Sequence, residues 1–326
     1  MLRRRTRVLL VAALCAISGT VRAVEPPPIP DFAVDKALRP TDAMPERLIQ
    51  WSHPGVTLTD MVYSTIPGFR ALHLDVYRSA AAPAPQPLIV FVHGGGYTHA
   101  NARAGAAFMD LPAQLAYLAE RGYVVASIEY RFSGEAPFPA QLDDLQAAIR
   151  FLRSNAARLG IDGARIGSWG MSAGAHLAAL NAVHCADGAC VQAFAGWFGT
   201  YDVPAHLRDT PLDPVVAALF RCGNAGCETG VLEAASPIHH VDRNDPPTLL
   251  IHGLHDTLAL PSQSERFAKE LQDAGVDARL VLIPEVDHGF VGSTPAVTKD
   301  ALRQALAATF DFFDRVLKGA PSAQVP

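Results

Sequence analysis

Apolar runs of strand length alternate with segments of helical periodicity along the chain after Pro87. Runs with apolar residues at most positions predict strands at 88–92, 123–128, 165–169, 191–198, 248–252 and 279–283. Apolar residues recur every three or four positions in predicted helices at 139–159, 261–274 and 295–317. Strands that are apolar on both faces are typical of a parallel sheet covered by helices. We therefore predict an α/β fold with a doubly wound, mostly parallel sheet and an active site at the carboxyl ends of its strands.

The remaining segments predict how the chain is organised around this sheet. Residues 60–66 and 72–77 alternate apolar and polar side chains about a Pro-Gly pair, which predicts an antiparallel hairpin. Residues 24–58 are proline-rich and lack periodicity, so we expect an arm that lies over the domain. Residues 199–237 fit neither period and predict a cap-like insertion facing the substrate. We expect one domain, residues 59–318, followed by a short C-terminal tail, 319–326.

The first 23 residues have the composition of a secretory signal. Basic residues precede an apolar stretch, 8–17, that is too short to span a bilayer, and Val21-Arg22-Ala23 resembles a cleavage site. We expect cleavage before Val24 and a periplasmic or secreted product without stable membrane association. An uncleaved anchor is the alternative.

The net charge of the processed chain narrows the classes of partner. Removing residues 1–23 takes away five arginines and no acids, so the formal net charge changes from -5 to -10. A protein this acidic is poorly suited to bind nucleic acid or an anionic membrane surface. A small-molecule or polysaccharide ester is a better match, and the sequence indicates no particular oligomeric state.

Four cysteines follow the predicted signal, as two pairs with four residues inside each pair. Cys185 and Cys190 form one pair, and Cys222 and Cys227 form the other. The intervening residues favour turns and an exported chain meets an oxidising environment, so we predict a local disulfide in each pair. Four cysteines permit three pairings, and a zinc site is the competing interpretation. Neither pair has further ligands at a spacing typical of zinc, so we predict no metal and no cofactor.

A Gly-x-Ser-x-Gly segment, 170–174, follows a predicted strand and precedes a helical pattern. In that context the flanking glycines permit a sharp turn that exposes a serine above the sheet. Ser172 is therefore the candidate nucleophile, and a serine that merely begins a helix is the alternative.

Serine needs a base to remove its proton and a carboxylate to orient that base. His288 follows the last predicted strand, and Asp256 follows the strand 248–252, in the chain order usual for this kind of site. We predict His288 as the general base and Asp256 as the orienting acid. Asp202 is the reserve candidate for the acid, while Asp287 is too close to His288 in the sequence to be a comfortable partner.

The segment His93-Gly94-Gly95-Gly96-Tyr97 directly follows the predicted strand 88–92. Glycines let backbone N–H groups approach a developing oxyanion without obstruction by side chains. We predict an oxyanion hole formed by Gly95, Gly96 and Ala173. A phosphate-binding loop is excluded because the lysine and the glycine spacing of such loops are absent.

These residues belong to four segments, 93–97, 130–139, 165–178 and 236–241, that resemble one known family. They look like the bacterial feruloyl and acetyl xylan esterase branch of the hormone-sensitive-lipase-like α/β-hydrolases, and the resemblance spans residues 57 to 318. It implies an α/β-hydrolase fold and a serine esterase that acts on acetyl or hydroxycinnamoyl esters of plant polysaccharides. Its motifs are less specific for the substrate than for the catalytic residues.

Other functions of the same fold stay open at the level of sequence. An arylformamidase or another amide hydrolase, an exported peptidase and a binding module without activity are the alternatives to a carboxylesterase. Four aromatic residues near the predicted strand ends are candidates for substrate contact: Tyr97, Trp197, Tyr201 and Phe290. Packing in the core is the competing interpretation for such residues.

Overall fold

The structure, a computed structural model, describes residues 29–34, 55–81, 83–210, 214–222 and 226–319. The predicted signal segment, 1–23, lies outside these residues. So do most of the predicted arm, 24–58, and the predicted tail beyond Gly319.

A single eight-stranded sheet organises the described residues. Its strands are β1 (Gly55–Ser64), β2 (Leu72–Ser79), β3 (Gln86–Val92), β4 (Val124–Ile128), β5 (Ile161–Met171), β6 (Ala193–Trp197), β7 (Thr248–Gly253) and β8 (Ala278–Ile283). The strand order is β1-β2-β4-β3-β5-β6-β7-β8. Strand β2 is antiparallel to both of its neighbours, whereas β3 to β8 pair in parallel. The predicted fold class, a mostly parallel sheet with an antiparallel N-terminal hairpin, is confirmed.

Helices cover both faces of the sheet. Within the described residues they are α1 (Leu111–Glu120), α2 (Ala140–Ser154), α3 (Ala156–Leu159), α4 (Ala173–Val183), α5 (Val203–Asp209), α6 (Pro214–Leu219), α7 (Thr229–Ala234), α8 (Ser262–Asp273) and α9 (Pro295–Lys318). Short 3-10 segments occur at Pro237–His240 and His288–Phe290. None of the described helices is both long and apolar enough to cross a membrane.

The apolar character of the central strands follows from two cores, one on each face of the sheet. In β3, Leu88 and Val90 belong to one core, and the alternate residues Ile89 and Phe91 belong to the other. Successive side chains of a strand point to opposite faces, so a strand buried on both faces needs apolar residues at every position. This requirement explains why the central strands are readable in the sequence as continuous apolar runs.

The structure departs from the predicted elements at several places. Strand β1 begins at Gly55, inside the predicted arm. A bulge with Asp60 at φ 54° interrupts the alternation of its side chains, so the first part of the strand was not visible as an alternating pattern in the sequence. The predicted helix 139–159 is divided at Asn155, whose side-chain amide donates to the Phe151 carbonyl at 2.8 Å. Helix α1 is an element that the pattern did not predict. Its start is marked by Asp110, which accepts a hydrogen bond from the Ala113 N–H at 3.1 Å.

The insertion between β6 and β7 contains α5, α6 and α7. It contacts the body of the domain at Phe138, whose N–H donates to the Leu219 carbonyl at 2.9 Å and whose ring lies 5.8 Å from that of Phe220. Both predicted local disulfides are present: Cys185–Cys190 joins the segment between α4 and β6, and Cys222–Cys227 lies within the insertion. No group of three metal-ligating side chains is found among the described residues.

Candidate active site

Ser172 lies at a sharp turn between β5 and α4. Its backbone has φ 53° and ψ -120°, a conformation that L-residues rarely adopt. The turn depends on close packing of glycine backbone, since a Cβ on Gly174 would lie 2.1 Å from the Val92 carbonyl oxygen. A Cβ on Gly170 would likewise lie 2.3 Å from the Gly174 carbonyl oxygen. The two glycines therefore permit the turn, and the strained backbone presents the serine above the sheet.

Three predicted residues, far apart in the sequence, meet at the carboxyl ends of β5, β7 and β8. The Ser172 Oγ lies 2.9 Å from His288 Nε2, and His288 Nδ1 lies 2.7 Å from Asp256 Oδ2. A carboxylate can only accept, so the hydrogen of the neutral His288 ring is placed on Nδ1. Nε2 then carries the lone pair that can accept the proton of Ser172.

Asp256 is 2% exposed and is surrounded by donors. Its Oδ1 accepts from the N–H groups of Leu258 and Ala259, each at 2.9 Å, and its Oδ2 accepts from His252 Nε2 at 3.1 Å as well as from His288. Burial by itself raises the pKa of this carboxyl group, but the hydrogen bonds from His252 and His288 outweigh burial and lower its pKa. Asp256 is therefore ionised throughout the pH range in which histidines titrate.

The glycine loop after β3 lies directly against Ser172. A Cβ on Gly94 would be 3.2 Å from the Ser172 Cβ, and Gly95 and Gly96 both have positive φ, at 102° and 58°. Among the described residues, the backbone N–H groups of Gly95, Gly96 and Ala173 donate to no protein acceptor. Unpaired amides beside a serine can bind an anionic oxygen.

Two aromatic side chains hold this loop in place. The Tyr130 hydroxyl donates to the carbonyls of His93 and Gly94, at 3.0 and 3.3 Å, and its ring stacks on His93 with centroids 4.4 Å apart. Tyr97, predicted to contact substrate, is 9% exposed, and its hydroxyl lies 2.9 Å from His176 Nδ1. The loop is therefore fixed from both of its ends.

The side chains of the other three residues predicted to contact substrate lie in the cores. Trp197, Tyr201 and Phe290 are completely buried, so they present no surface to a ligand. Trp197 donates from Nε1 to Thr309 Oγ1 at 2.9 Å, and its ring packs 5.2 Å from that of Phe290. Tyr201 stacks on Phe267, with ring centroids 4.7 Å apart. All three lie at or just after strand ends in the sequence, but each belongs to one of the two cores.

The competing acids are used elsewhere. Asp202 caps α5 by accepting from the Ala205 N–H at 3.0 Å. Asp287 accepts from the His288 N–H at 2.7 Å and from the Thr257 N–H at 3.3 Å, so it stabilises the turn that carries the histidine. Neither carboxylate replaces Asp256 beside the imidazole.

Three buried polar residues of the site were assigned no role from the sequence: Tyr130, His176 and His252. The last two are histidines inside apolar segments, at 1% and 0% exposure. A polar residue in an otherwise apolar element was the signal that could have identified them, because a buried polar group needs a partner.

A sheet of this topology, with a serine at a strand-to-helix turn and an Asp-paired histidine beyond later strands, defines the α/β-hydrolase class. Within that class the chain belongs to the BD-FAE family, whose model matches residues 74–271. The predicted resemblance to hormone-sensitive-lipase-like esterases is thereby confirmed.

Two curated relatives are about one-third identical to this chain over the aligned residues. Esterase LipQ of Mycobacterium tuberculosis is 32% identical over 238 residues, which cover 69% of this chain and 55% of that protein. Esterase LipC of the same organism is 32% identical over 236 residues, covering 67% and 56%. The chain thus spans about half the length of the curated relatives that it matches.

Solved structures resemble the whole domain. A truncated carbohydrate esterase from gut microbiota is similar with a TM-score of 0.67 and 28% identity, over 81% of this chain and 96% of that one. An esterase of the Planctomycetes species Thermogutta terrifontis has a TM-score of 0.66 at 24% identity, over 80% and 92%, which is a likeness of fold alone.

Proposed function

We propose that this protein is a serine carboxylesterase in which Ser172 is the nucleophile, His288 the general base and Asp256 the orienting acid. The observation that carries the proposal is the continuous pair of hydrogen bonds from Ser172 Oγ to His288 Nε2, at 2.9 Å, and from His288 Nδ1 to Asp256 Oδ2, at 2.7 Å. Membership of the BD-FAE family and the similarity to esterases support the choice of an ester as substrate.

The chemistry follows the positions of these groups. Ser172 Oγ attacks the ester carbonyl carbon while His288 Nε2 takes the serine proton, and the imidazolium that forms is stabilised by the ionised Asp256. The proton then passes to the oxygen of the departing alcohol, which leaves an acyl group on Ser172. Water attacks the acyl-enzyme with the same base, releasing the acid and restoring the serine. The amides of Gly95, Gly96 and Ala173 stabilise the oxyanion in both steps.

Short acyl esters are the proposed substrates, acetyl first, with hydroxycinnamoyl esters and plant polysaccharides as natural targets. This choice is supported by the family match and by the likeness to a carbohydrate esterase. Trp197, Tyr201 and Phe290 do not support this choice of substrate, since their side chains are buried. Export to the periplasm or medium would place the enzyme where such polymers are found, and the two disulfides support that location.

A substrate panel on the purified mature protein tests the proposal. Initial rates on p-nitrophenyl esters from acetate to laurate are measured beside acetate release from acetylated xylan, ferulate release from methyl ferulate and hydrolysis of an aryl formamide. We expect the highest kcat/KM on acetate or propionate, with release from at least one natural-type ester. A maximum at octanoate or longer without either release would contradict the substrate class, and turnover of the amide alone would contradict the esterase.

Ser172→Ala supplies the matching test of the nucleophile. Turnover of the best ester should fall by at least about 10⁴-fold while the protein remains folded, because the acyl-enzyme cannot form. Ser154→Ala, at an exposed position on α2, is the control and should retain wild-type rates. Substantial activity in the Ser172 variant would reject the assignment.

A further inference from the structure

A buried tyrosine and a buried histidine connect three elements around the proposed oxyanion hole. The Tyr97 hydroxyl lies 2.9 Å from His176 Nδ1, and His176 Nε2 lies 2.6 Å from the Ala235 carbonyl oxygen. Tyr97 directly follows Gly95 and Gly96, His176 lies in the first turn of α4, and Ala235 is the C-cap residue of α7 in the insertion. One imidazole thus joins the glycine loop, the helix that follows the nucleophile and the insertion.

The acceptors determine which atom carries each hydrogen. A carbonyl oxygen only accepts, so His176 Nε2 must carry a hydrogen and donate it to Ala235. Burial lowers the pKa of His176 to about 4, so its ring is neutral above that pH and its Nδ1 is an acceptor. The Tyr97 hydroxyl must therefore donate to Nδ1. The hydrogen bond therefore runs from Tyr97 to His176, and the His176 ring carries its hydrogen on Nε2.

The backbone around both residues shows that their positions are constrained. Tyr97 has φ 64°, a left-handed conformation that a non-glycine residue keeps only when its surroundings impose it. Its carbonyl accepts from the Ser133 N–H at 2.8 Å, so main chain and side chain are both held. The His176 N–H donates to the Ser172 carbonyl at 3.1 Å, which places the imidazole one helical turn from the nucleophile.

We propose that Tyr97 and His176 are positioning residues for the reaction: their hydrogen bond sets where the amides of Gly95 and Gly96 lie relative to Ser172 and to the insertion. Neither side chain touches the reacting atoms. The proposal rests on the proposed esterase function, because the oxyanion is the group whose stabilisation depends on this placement. A misplacement of about 1 Å in such a site can cost about 10²-fold in rate.

Three variants separate the contact from general packing. Tyr97→Phe removes only the hydroxyl. His176→Asn places an amide oxygen near the position of Nδ1, so it can still accept from Tyr97 but cannot reach Ala235. His176→Gln does the reverse, because its amide nitrogen can reach Ala235 while no acceptor remains near Tyr97.

The matched control is Tyr123→Phe. That tyrosine is completely buried and its hydroxyl donates to Asp314 Oδ1 at 2.8 Å, a contact between the residue before β4 and α9. The variant removes a hydrogen-bonded buried hydroxyl from the same fold without affecting the glycine loop. Each variant is assayed at a temperature below the lowest Tm of the set, so that every sample is folded.

We expect Tyr97→Phe to lower kcat on p-nitrophenyl acetate by about 10- to 100-fold with KM nearly unchanged, because transition-state stabilisation is lost and ground-state binding is kept. His176→Asn should retain more kcat than His176→Gln, and Tyr123→Phe should retain wild-type kcat. In the wild type, ¹⁵N NMR should show Nδ1 of His176 unprotonated at pH 7.

Equal kcat in Tyr97→Phe and Tyr123→Phe, a higher kcat in the Gln than in the Asn variant, or a hydrogen on Nδ1 would each overturn the positioning role. These outcomes differ from failure of the proposed function, in which the wild type itself hydrolyses no ester and Ser172 is not labelled by a fluorophosphonate.

Discussion

At the scale of single residues, the two oxygens of Asp256 have separate tasks. Oδ1 accepts from the two loop amides of Leu258 and Ala259, which stabilise the turn after β7. Oδ2 faces the two imidazoles, His252 and His288, and carries the interaction that orients the proposed base. A substitution that keeps the first oxygen and changes the second therefore tests catalysis with little effect on the turn.

Asp256→Asn is that substitution. With its amide oxygen kept on the loop N–H groups, its NH₂ group faces His288 Nδ1, so the imidazole must carry its hydrogen on Nε2 and cannot accept the serine proton. We expect kcat to fall by about 10³- to 10⁴-fold, measured on p-nitrophenyl acetate. Asp202→Asn, which alters the cap of α5 and the ion pair with Arg266, should leave kcat unchanged. The opposite ranking of the two variants would reassign the acid.

At the scale of elements, the segment between β4 and α2 connects the glycine loop with the insertion. Tyr130 donates to the His93 carbonyl, Ser133 donates to the Tyr97 carbonyl, and Phe138 donates to the Leu219 carbonyl at the end of α6. The Cys222–Cys227 disulfide follows α6 directly, whereas Cys185–Cys190 closes the connection from α4 to β6. The two disulfides therefore restrain elements at different distances from this connecting segment.

Removing each disulfide by a double Cys→Ser change tests this difference. Each closes a loop with a sequence separation of 5 residues, so each loss should lower the free energy of unfolding by about 2 kcal/mol, measured by urea denaturation. Only loss of Cys222–Cys227 should also raise KM, because Phe220 then packs less firmly on Phe138. Peptide mapping without reduction verifies both pairings first, and a KM change confined to the Cys185–Cys190 variant would contradict the expectation.

At the scale of the whole molecule, the buried imidazole of His176 makes stability depend on pH. The pKa of His176 is about 4 in the folded protein and near 6.5 when unfolded. Between these values the unfolded chain binds more protons, so the stability contributed by His176 is complete above pH 6.5 and is lost as the pH falls toward 4. Asp245 acts in the opposite direction over part of this window, since burial raises its pKa to about 6.

Comparison with His176→Asn separates the contribution of His176 to stability from that of Asp245, because the variant retains Asp245. The free energy of unfolding of the wild type, minus that of the variant, should decrease by about 3 kcal/mol between pH 8 and pH 4. Chemical denaturation at several pH values gives this difference directly. A difference independent of pH would mean that His176 titrates alike in the folded and unfolded chain.

Local patterns in the sequence determined the central strands and the sharp turn at Ser172. Continuous apolar runs marked the central strands because both faces of the sheet are buried, and the glycines of 170–174 marked the turn because only glycine fits against the neighbouring backbone. The serine, the acid and the histidine could also be predicted from the sequence, because each follows a strand and these strands end at the same edge of the sheet.

Contacts between distant residues were decided by the tertiary structure. The sequence placed Trp197, Tyr201 and Phe290 near strand ends, but only the packing of helices on each face directs them into the cores. Tyr97 and His176 are separated by 79 positions, and no periodicity indicates that they meet. Side-chain direction at a strand end depends on which helices cover that face, whereas a continuous apolar run is visible in the local sequence.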